Sequence, residues 1–212
     1  MSALGIFGGS FNPPHLGHLA LARDALDELD LDRVLMVPVC LPPHRPPPAE
    51  DPGPEHRLAM CEALVSGVDR LCVSTIEIDR GGRSYTVDTL EDVHASDPDA
   101  ELTLILGADM ACTLSSWRKP REILELARVA VAEREGEAGG ESPSTERVLS
   151  VLSSIDGHAR VSLLSMPTVP VSSTLVRERL RAGEPVEDLV GPAVASYIVE
   201  HGLYGARRAV AR

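Results

Sequence analysis

A chain of 212 residues with 43% hydrophobic content is long enough for one α/β domain with a full core and a small helical appendage. Its formal charge of −12 argues against polymeric nucleic acid as the main partner, because a basic surface supplies most of that affinity. No run approaches the ~18 apolar residues of a membrane span, and no basic segment followed by a long apolar stretch suggests a secretory signal. Cys40, Cys61, Cys72 and Cys112 show no C-x-x-C spacing and are expected to be reduced packing thiols of a cytoplasmic protein. Any phosphate site must therefore be local, built from backbone amides, a few cations and a metal. Lys119 is the only lysine, and the arginine bias is better explained by genome composition than by phosphate binding.

Leu4 to Phe7 is a short apolar strand, followed by a Gly-rich turn and an amphipathic helix from about Leu16 to Leu29. Val34 to Val39 is a second strand, stopped by a proline-rich loop, Leu41 to Pro54. Glu55 to Val65 has helical spacing, with Leu58, Met60, Cys61 and Leu64 facing inward. Leu71 to Ile78 is expected to be a third strand and Thr86 to Val93 a helix. Leu102 to Leu106 is a continuous apolar strand, as both covered faces of a parallel sheet require. Ile123 to Leu126 is helical and Val129 to Ala132 a short strand. Glu133 to Thr145, acidic and glycine-rich, is expected to be a mobile surface loop. A helix at Glu146 to Leu152, a strand at Val161 to Leu164, and helices at Thr174 to Ala182 and Pro192 to His201 complete the chain. The alternation predicts a doubly wound parallel sheet, a Rossmann-like α/β fold, in a single domain whose helical C-terminal part begins at about residue 172.

The strongest signal is Gly8 to His18, GGSFNPPHLGH, set between a strand and a helix. Gly8 and Gly9 permit a tight turn and close approach of backbone to a ligand. His15 and His18 fall on the first helical turn, where free N–H groups and the dipole favour a phosphate. That pattern suits stabilising charge on a phosphate in flight. Zinc ligation lacks a third or fourth ligand nearby, and the string matches neither G-x-G-x-x-G nor a Walker motif. Elsewhere, Ser172, Ser173 and Thr174 are good caps for the helix that carries Arg177 one turn in. Asp109 follows Gly107 at the end of a buried strand, where ligands collect in open α/β sheets, but a plain helix cap is an equal reading. Trp117 could stack on a ring or simply pack at the edge of the core. Tyr85 and Thr86 stand at a helix start, and Asp88, one turn on, is expected to face the helix N-terminus or solvent.

The strand–GGSFNPPH-x-GH–helix unit resembles the H-x-G-H signature of the nucleotidyltransferase α/β phosphodiesterase superfamily. Further segments are similar to bacterial nicotinate mononucleotide adenylyltransferases. Leu41-Pro42-Pro43-His44-Arg45 resembles their P-P-H-K segment, and His56 to Met60 their next helix. Arg83 to Leu90 (RSYTVDTL) resembles the pyridine-site motif, and Leu106 to Asp109 with Trp117 the L-G-x-D and tryptophan. Val171 to Arg177 resembles I-S-S-T-x-I-R, and Tyr197 to Tyr204 the C-terminal end. The resemblance runs from Gly5 to Tyr204. It implies transfer of the adenylyl group of ATP to nicotinate mononucleotide, releasing pyrophosphate, with Mg²⁺ carried by the ATP phosphates. His15, His18 and Arg177 would be catalytic. ATP would meet Gly8, Gly9, Ser10, Phe11, His15, His18, Gly107, Asp109, Ser172, Ser173, Thr174 and Arg177. The mononucleotide would meet His44, Arg45, Tyr85, Thr86, Asp109 and Trp117. No protein metal ligand is assigned, and a homo-oligomer is left open. Arg45 stands where the family has lysine, Asn12 where the commoner form has aspartate, and Ala132 to Gly136 departs from Arg-Pro-Gly. A sister adenylyl- or cytidylyltransferase with another acceptor, such as phosphopantetheine, and a non-catalytic nucleotide-binding regulator are the rival readings.

Overall fold

A computed structural model describes residues 2–43, 46–135, 143–167 and 169–206. In chain order the elements are β1 (Ala3–Gly9), α1 (Leu16–Glu28), β2 (Arg33–Pro38), α2 (Pro54–Val65), β3 (Leu71–Val73) and α3 (Ile76–Arg80). They continue with α4 (Thr86–Ser96), β4 (Glu101–Gly107), α5 (Ala108–Ala111), α6 (Pro120–Leu126), β5 (Ala127–Glu135) and α7 (Thr145–Ile155). The last are β6 (Val161–Pro167), α8 (Ser173–Ala182), α9 (Glu187–Val190) and α10 (Pro192–Glu200). Short 3₁₀ turns follow α5, at Leu114–Ser116, and α10, at Leu203–Gly205.

All strand pairs are parallel, in the order β3-β2-β1-β4-β5-β6. This is the doubly wound order, and it reverses between β1 and β4; open sheets of this kind take ligands in the crevice outside the carboxyl ends of the strands at such a reversal. Alternation along the strands divides the core. Leu4, Ile6, Val37, Leu102, Leu104, Leu106, Val129 and Val131 face α4, α6 and α7. Phe7, Val34, Met36, Ile105, Ala130 and Ala132 face α1, α2, α8 and α10. Gly5 sits on the second face, where a Cβ would lie 2.7 Å from Val34 Cγ2 and 2.9 Å from Leu31 and Ile105, so that position admits no side chain.

Two sequence expectations are corrected. The third strand stops at Val73, and Ile76–Arg80 is helical. The I-E-I-D alternation mimics a strand, but Glu77 is the inward residue, buried to 5% exposure, and Thr89 Oγ1 donates to its Oε1 at 2.6 Å. The expected loop from Glu133 begins later, because β5 continues to Glu135 and pairs with β6 up to Pro167. A charged E-R-E run hides that ladder, since backbone bonds ignore side-chain polarity. Residues 136–142 of the expected loop lie outside the described residues. At its far end Ser144 caps α7, accepting from the Arg147 N–H at 3.3 Å.

Candidate active site

Gly8 is exposed at the end of β1, and a Cβ added there would meet nothing within 4 Å. The same open space lies over Gly107 at the end of β4. Neither glycine is demanded by protein packing, in contrast to Gly5. Both leave bare backbone at the crevice. Gly9 differs, because its missing Cβ leaves room for the Phe11 ring, 3.0 Å away. Phe11 turns through φ 46 and is 2% exposed, so its ring supports the loop from within. It packs edge-on against Phe7 at 5.4 Å and against His18 at 5.0 Å.

His15 is the N-cap of α1 and His18 its third residue. Their rings stack at 3.6 Å between centroids and 22° between planes. The His15 N–H donates to His18 Nδ1 at 3.1 Å. That bond requires a lone pair on Nδ1, so a neutral His18 carries its proton on Nε2 and presents it as a donor. Gly17 makes the stack fit: a Cβ there would lie 3.0 Å from Val171 Cγ1 and 3.2 Å from His15 Nδ1.

The loop between β1 and α1 is held by a buried polar network centred on Asn12. Asn12 Nδ2 donates to Asp51 Oδ2 at 3.0 Å, and the Tyr204 hydroxyl donates to Asn12 Oδ1 at 2.7 Å. Burial first, and then the Asp51 charge, push the Tyr204 phenol far up, which keeps it a donor. Arg57, 1% exposed, pairs with Asp51 at 3.3 Å and donates to the carbonyls of Ser10 at 3.0 Å and Cys40 at 3.1 Å. A buried charge demands such partners. The departure from aspartate at position 12 thus has a physical reason: Asp51 already supplies the carboxylate, and its neighbour must donate.

The same loop receives α8. Ser172 caps that helix, accepting from the Leu175 N–H at 3.1 Å. Ser173 Oγ donates to the Pro13 carbonyl at 2.8 Å, and Arg177 Nη1 to the Asn12 carbonyl at 2.6 Å. Thr174 Oγ1 accepts from Arg177 Nη2 at 3.2 Å. Two motifs more than 150 residues apart in sequence are thereby joined. Glu50 approaches Arg177 Nε at 3.5 Å and accepts from Arg181 at 2.6 Å. Its carboxyl is held low, first by its own backbone N–H and also by Arg181 and Arg177, against the opposing effect of burial.

Tyr85 is the N-cap of α4 and Thr86 its first residue. The preceding strand of chain is tied to the end of β2: Leu41 bridges Arg83, Ser84 N–H donates to the Leu41 carbonyl at 2.9 Å, and Ser84 Oγ accepts from the Cys40 N–H at 2.9 Å. Trp117 is half-buried and donates from Nε1 to Thr113 Oγ1 at 3.0 Å. Asp109 is exposed at the start of α5, whose N-cap is Gly107, so the capping role is not its own. Asp88 turns to Arg118, which donates to it at 3.1 Å. His44 and Arg45 lie outside the described residues.

The sequence reading missed Gly17, Asp51, Arg57 and Arg118. Arg57 carried a signal, because it shares the helical stripe of Met60, Cys61 and Leu64, where a charge requires a buried partner. Among the described residues no cluster of three or more His, Cys, Asp or Glu could hold a metal ion. No helix of the described residues is long and apolar enough to cross a membrane.

A doubly wound parallel sheet whose central strand ends in glycine, followed by a helix that opens on two stacked histidines, is the frame of this site, and the relatives that share the chain's sequence are nucleotidyltransferases. The family model described as cytidylyltransferase-like matches residues 6–179. The chain is 41% identical over 201 residues to a probable nicotinate-nucleotide adenylyltransferase of Gemmatimonas aurantiaca, covering 95% of this chain and 92% of that one. It is 38% identical over 211 residues to the protein of the same description from Geobacillus thermodenitrificans, covering 100% and 90%. The chain belongs to the cytidylyltransferase-like family, with the nicotinate-nucleotide adenylyltransferases. Among solved structures it is similar to Plasmodium falciparum nicotinic acid mononucleotide adenylyltransferase complexed with NaAD, with a TM-score of 0.78 at 19% identity over 98% of this chain and 99% of that one. At that identity the likeness concerns the fold.

Proposed function

We propose that the chain transfers the adenylyl group of ATP to nicotinate mononucleotide, giving nicotinate adenine dinucleotide and pyrophosphate. The observation that carries this reading is the junction of α8 with the histidine loop, Ser173 to Pro13 at 2.8 Å and Arg177 to Asn12 at 2.6 Å. It sets two helix N-termini beside one crevice, a geometry made for a polyphosphate.

In the reaction a phosphate oxygen of the mononucleotide bonds to the α-phosphorus of ATP, and the bond to the bridging oxygen of the β-phosphate breaks. The electron pair leaves with pyrophosphate. No protein nucleophile is needed, so the work is positioning and charge stabilisation. His18 Nε2–H, His15 and the Gly8–Gly9 backbone serve the α-phosphate. Arg177 and the start of α8 serve the leaving pyrophosphate. Gly107 and Asp109, bare backbone and an exposed carboxylate, serve the ribose side. The start of α4 with Trp117 takes the pyridine carboxylate and ring, and the family resemblance assigns His44 and Arg45 to the mononucleotide. Adenylyl transfer ordinarily uses a divalent metal; Mg²⁺ would arrive on the ATP phosphates, ask for few protein ligands, consistent with the lack of a cluster of three or more His, Cys, Asp or Glu among the described residues, and neutralise phosphate charge. A pyrophosphate-release assay with ATP, Mg²⁺ and a panel of acceptors tests the reading. Release with nicotinate mononucleotide is expected; faster release with phosphopantetheine, or none with any acceptor, would refute it.

A further inference from the structure

We propose that Arg118 is a specificity-determining residue: it cancels the charge of Asp88 at the start of α4, and so lets that helix end accept an acidic pyridine ring in preference to a neutral one. The inference rests on the reading that the pyridine carboxylate meets Tyr85 and Thr86.

Asp88 lies at the third position of α4, whose N-cap is Tyr85. A carboxylate there suits the helix dipole, but it also opposes a second carboxylate brought to the same turn. Unless Asp88 is compensated, the positive end of the dipole is already spent on the protein's own acid. Arg118 Nη1 donates to Asp88 Oδ2 at 3.1 Å, while its guanidinium carbon stands 4.7 Å above the centre of the Tyr85 ring. One side chain therefore touches both the cap residue and the acid of the first turn. Only a planar cation does both at once, stacking with its face and pairing with its edge.

The backbone holds Arg118 in that place. Trp117 N–H donates to the Leu114 carbonyl at 3.0 Å, closing the 3₁₀ turn before it. Lys119, immediately after, takes φ 51 and ψ 56, a left-handed conformation that a non-glycine residue adopts at a cost. Its ammonium bonds Glu122 at 2.7 Å and approaches Glu91 of α4 at 3.6 Å, which fixes the turn against the same helix. Other acids of α4 have their own cations: Asp92 pairs with Arg80 at 2.5 Å. Arg118 is the cation aimed at the end that faces substrate. An exposed ion pair adds little to stability, and Arg118 is 49% exposed, so its placement has more consequence for the local field than for folding.

The test compares kcat/KM for nicotinate and nicotinamide mononucleotide in wild type, Arg118→Ala, Arg118→Lys, Asp88→Asn and the double variant Arg118→Ala with Asp88→Asn. Wild type is expected to prefer the acid by at least ~10²-fold. Arg118→Ala should lower that ratio by roughly tenfold, about 1.4 kcal/mol. Arg118→Lys should restore part of it, and the double variant should return it to within about threefold of wild type, since the uncompensated acid is gone. A structural role for Arg118 would depress both substrates together and leave the ratio alone. An unchanged ratio in Arg118→Ala, or no recovery in the double variant, overturns the inference. A wild type that shows no preference for the acid overturns the reading beneath it as well.

Discussion

Replacing Asn12 with aspartate would put a second carboxylate 3.0 Å from Asp51, in place of the amide that now donates to it. Two carboxylates at that distance do not both stay ionised; the pair keeps a proton, and the neutral acid replaces the lost donor. Holding that proton at about pH 7 on a group with an ordinary pKa of ~3.9 costs about 4 kcal/mol, and at about pH 5 only ~1.5 kcal/mol. The buried Arg57 beside Asp51, and Arg177 on the Asn12 carbonyl, offset part of the repulsion. The expected loss is therefore about 2–4 kcal/mol near neutrality, or roughly 4–16 °C in Tm for a chain of this size. The introduced carboxyl has a folded-state pKa above its unfolded one, so its penalty is absent below about pH 4 and grows as pH rises. Thermal and urea unfolding of wild type and Asn12→Asp at about pH 5 and pH 7.5 measure this. Equal stability at the higher pH, or a deficit that does not grow with pH, would refute the network as described.

His18→Ala is expected to fold normally and lose roughly 10²–10³ in kcat at saturating ATP, the usual effect of removing one transition-state donor; a value within a few-fold of wild type would remove His18 from the chemistry. Arg177→Ala should raise the KM for ATP more than that for the mononucleotide, and Glu50→Gln, which frees Arg177 and Arg181 of an internal anion, should lower the KM for ATP by roughly threefold; titrating both substrates decides each. Burial pushes the Glu77 carboxyl up from its ordinary 4.5, against hydrogen bonds from Ser84 and Thr89 and the charge of Arg80. The folded state thus holds that proton more tightly than the unfolded chain, and wild-type stability falls as pH rises from 4.5 through the folded value. Glu77→Gln lacks this titration, so unfolding curves should show it gaining on wild type as pH rises above 4.5; a constant difference would count against the burial.

The parallel sheet was legible because each central strand is apolar on both faces, as Leu102 to Leu106 shows, and each is followed by helical spacing. The reversal of strand order was not, since no local pattern says that β1 rather than β3 lies beside β4. Short elements escaped for a related reason. α3 and α9 are a turn or so long, and long-range contacts such as Thr89 to Glu77 decide their state rather than periodicity. At the site, the histidine pair and the Ser-Ser-Thr cap could be read from spacing alone. The partners that hold them could not. Asn12, Tyr204 and the Asp51–Arg57 pair come together from three well-separated stretches of the chain, and of these residues only Arg57, on the apolar stripe of its helix, leaves a periodic trace. Arg118, next to Trp117, belongs to no motif, and only the fold brings its guanidinium over Tyr85.

The most direct test of adenylyl transfer follows the label. With nicotinate mononucleotide and Mg²⁺, ATP labelled at the α-phosphate should deliver its label to the dinucleotide, ATP labelled at the γ-phosphate should deliver it to pyrophosphate, and the protein should carry none. Label from the γ-phosphate in the pyridine product, or AMP bound covalently to the protein, would contradict direct attack at the α-phosphorus and with it the central claim.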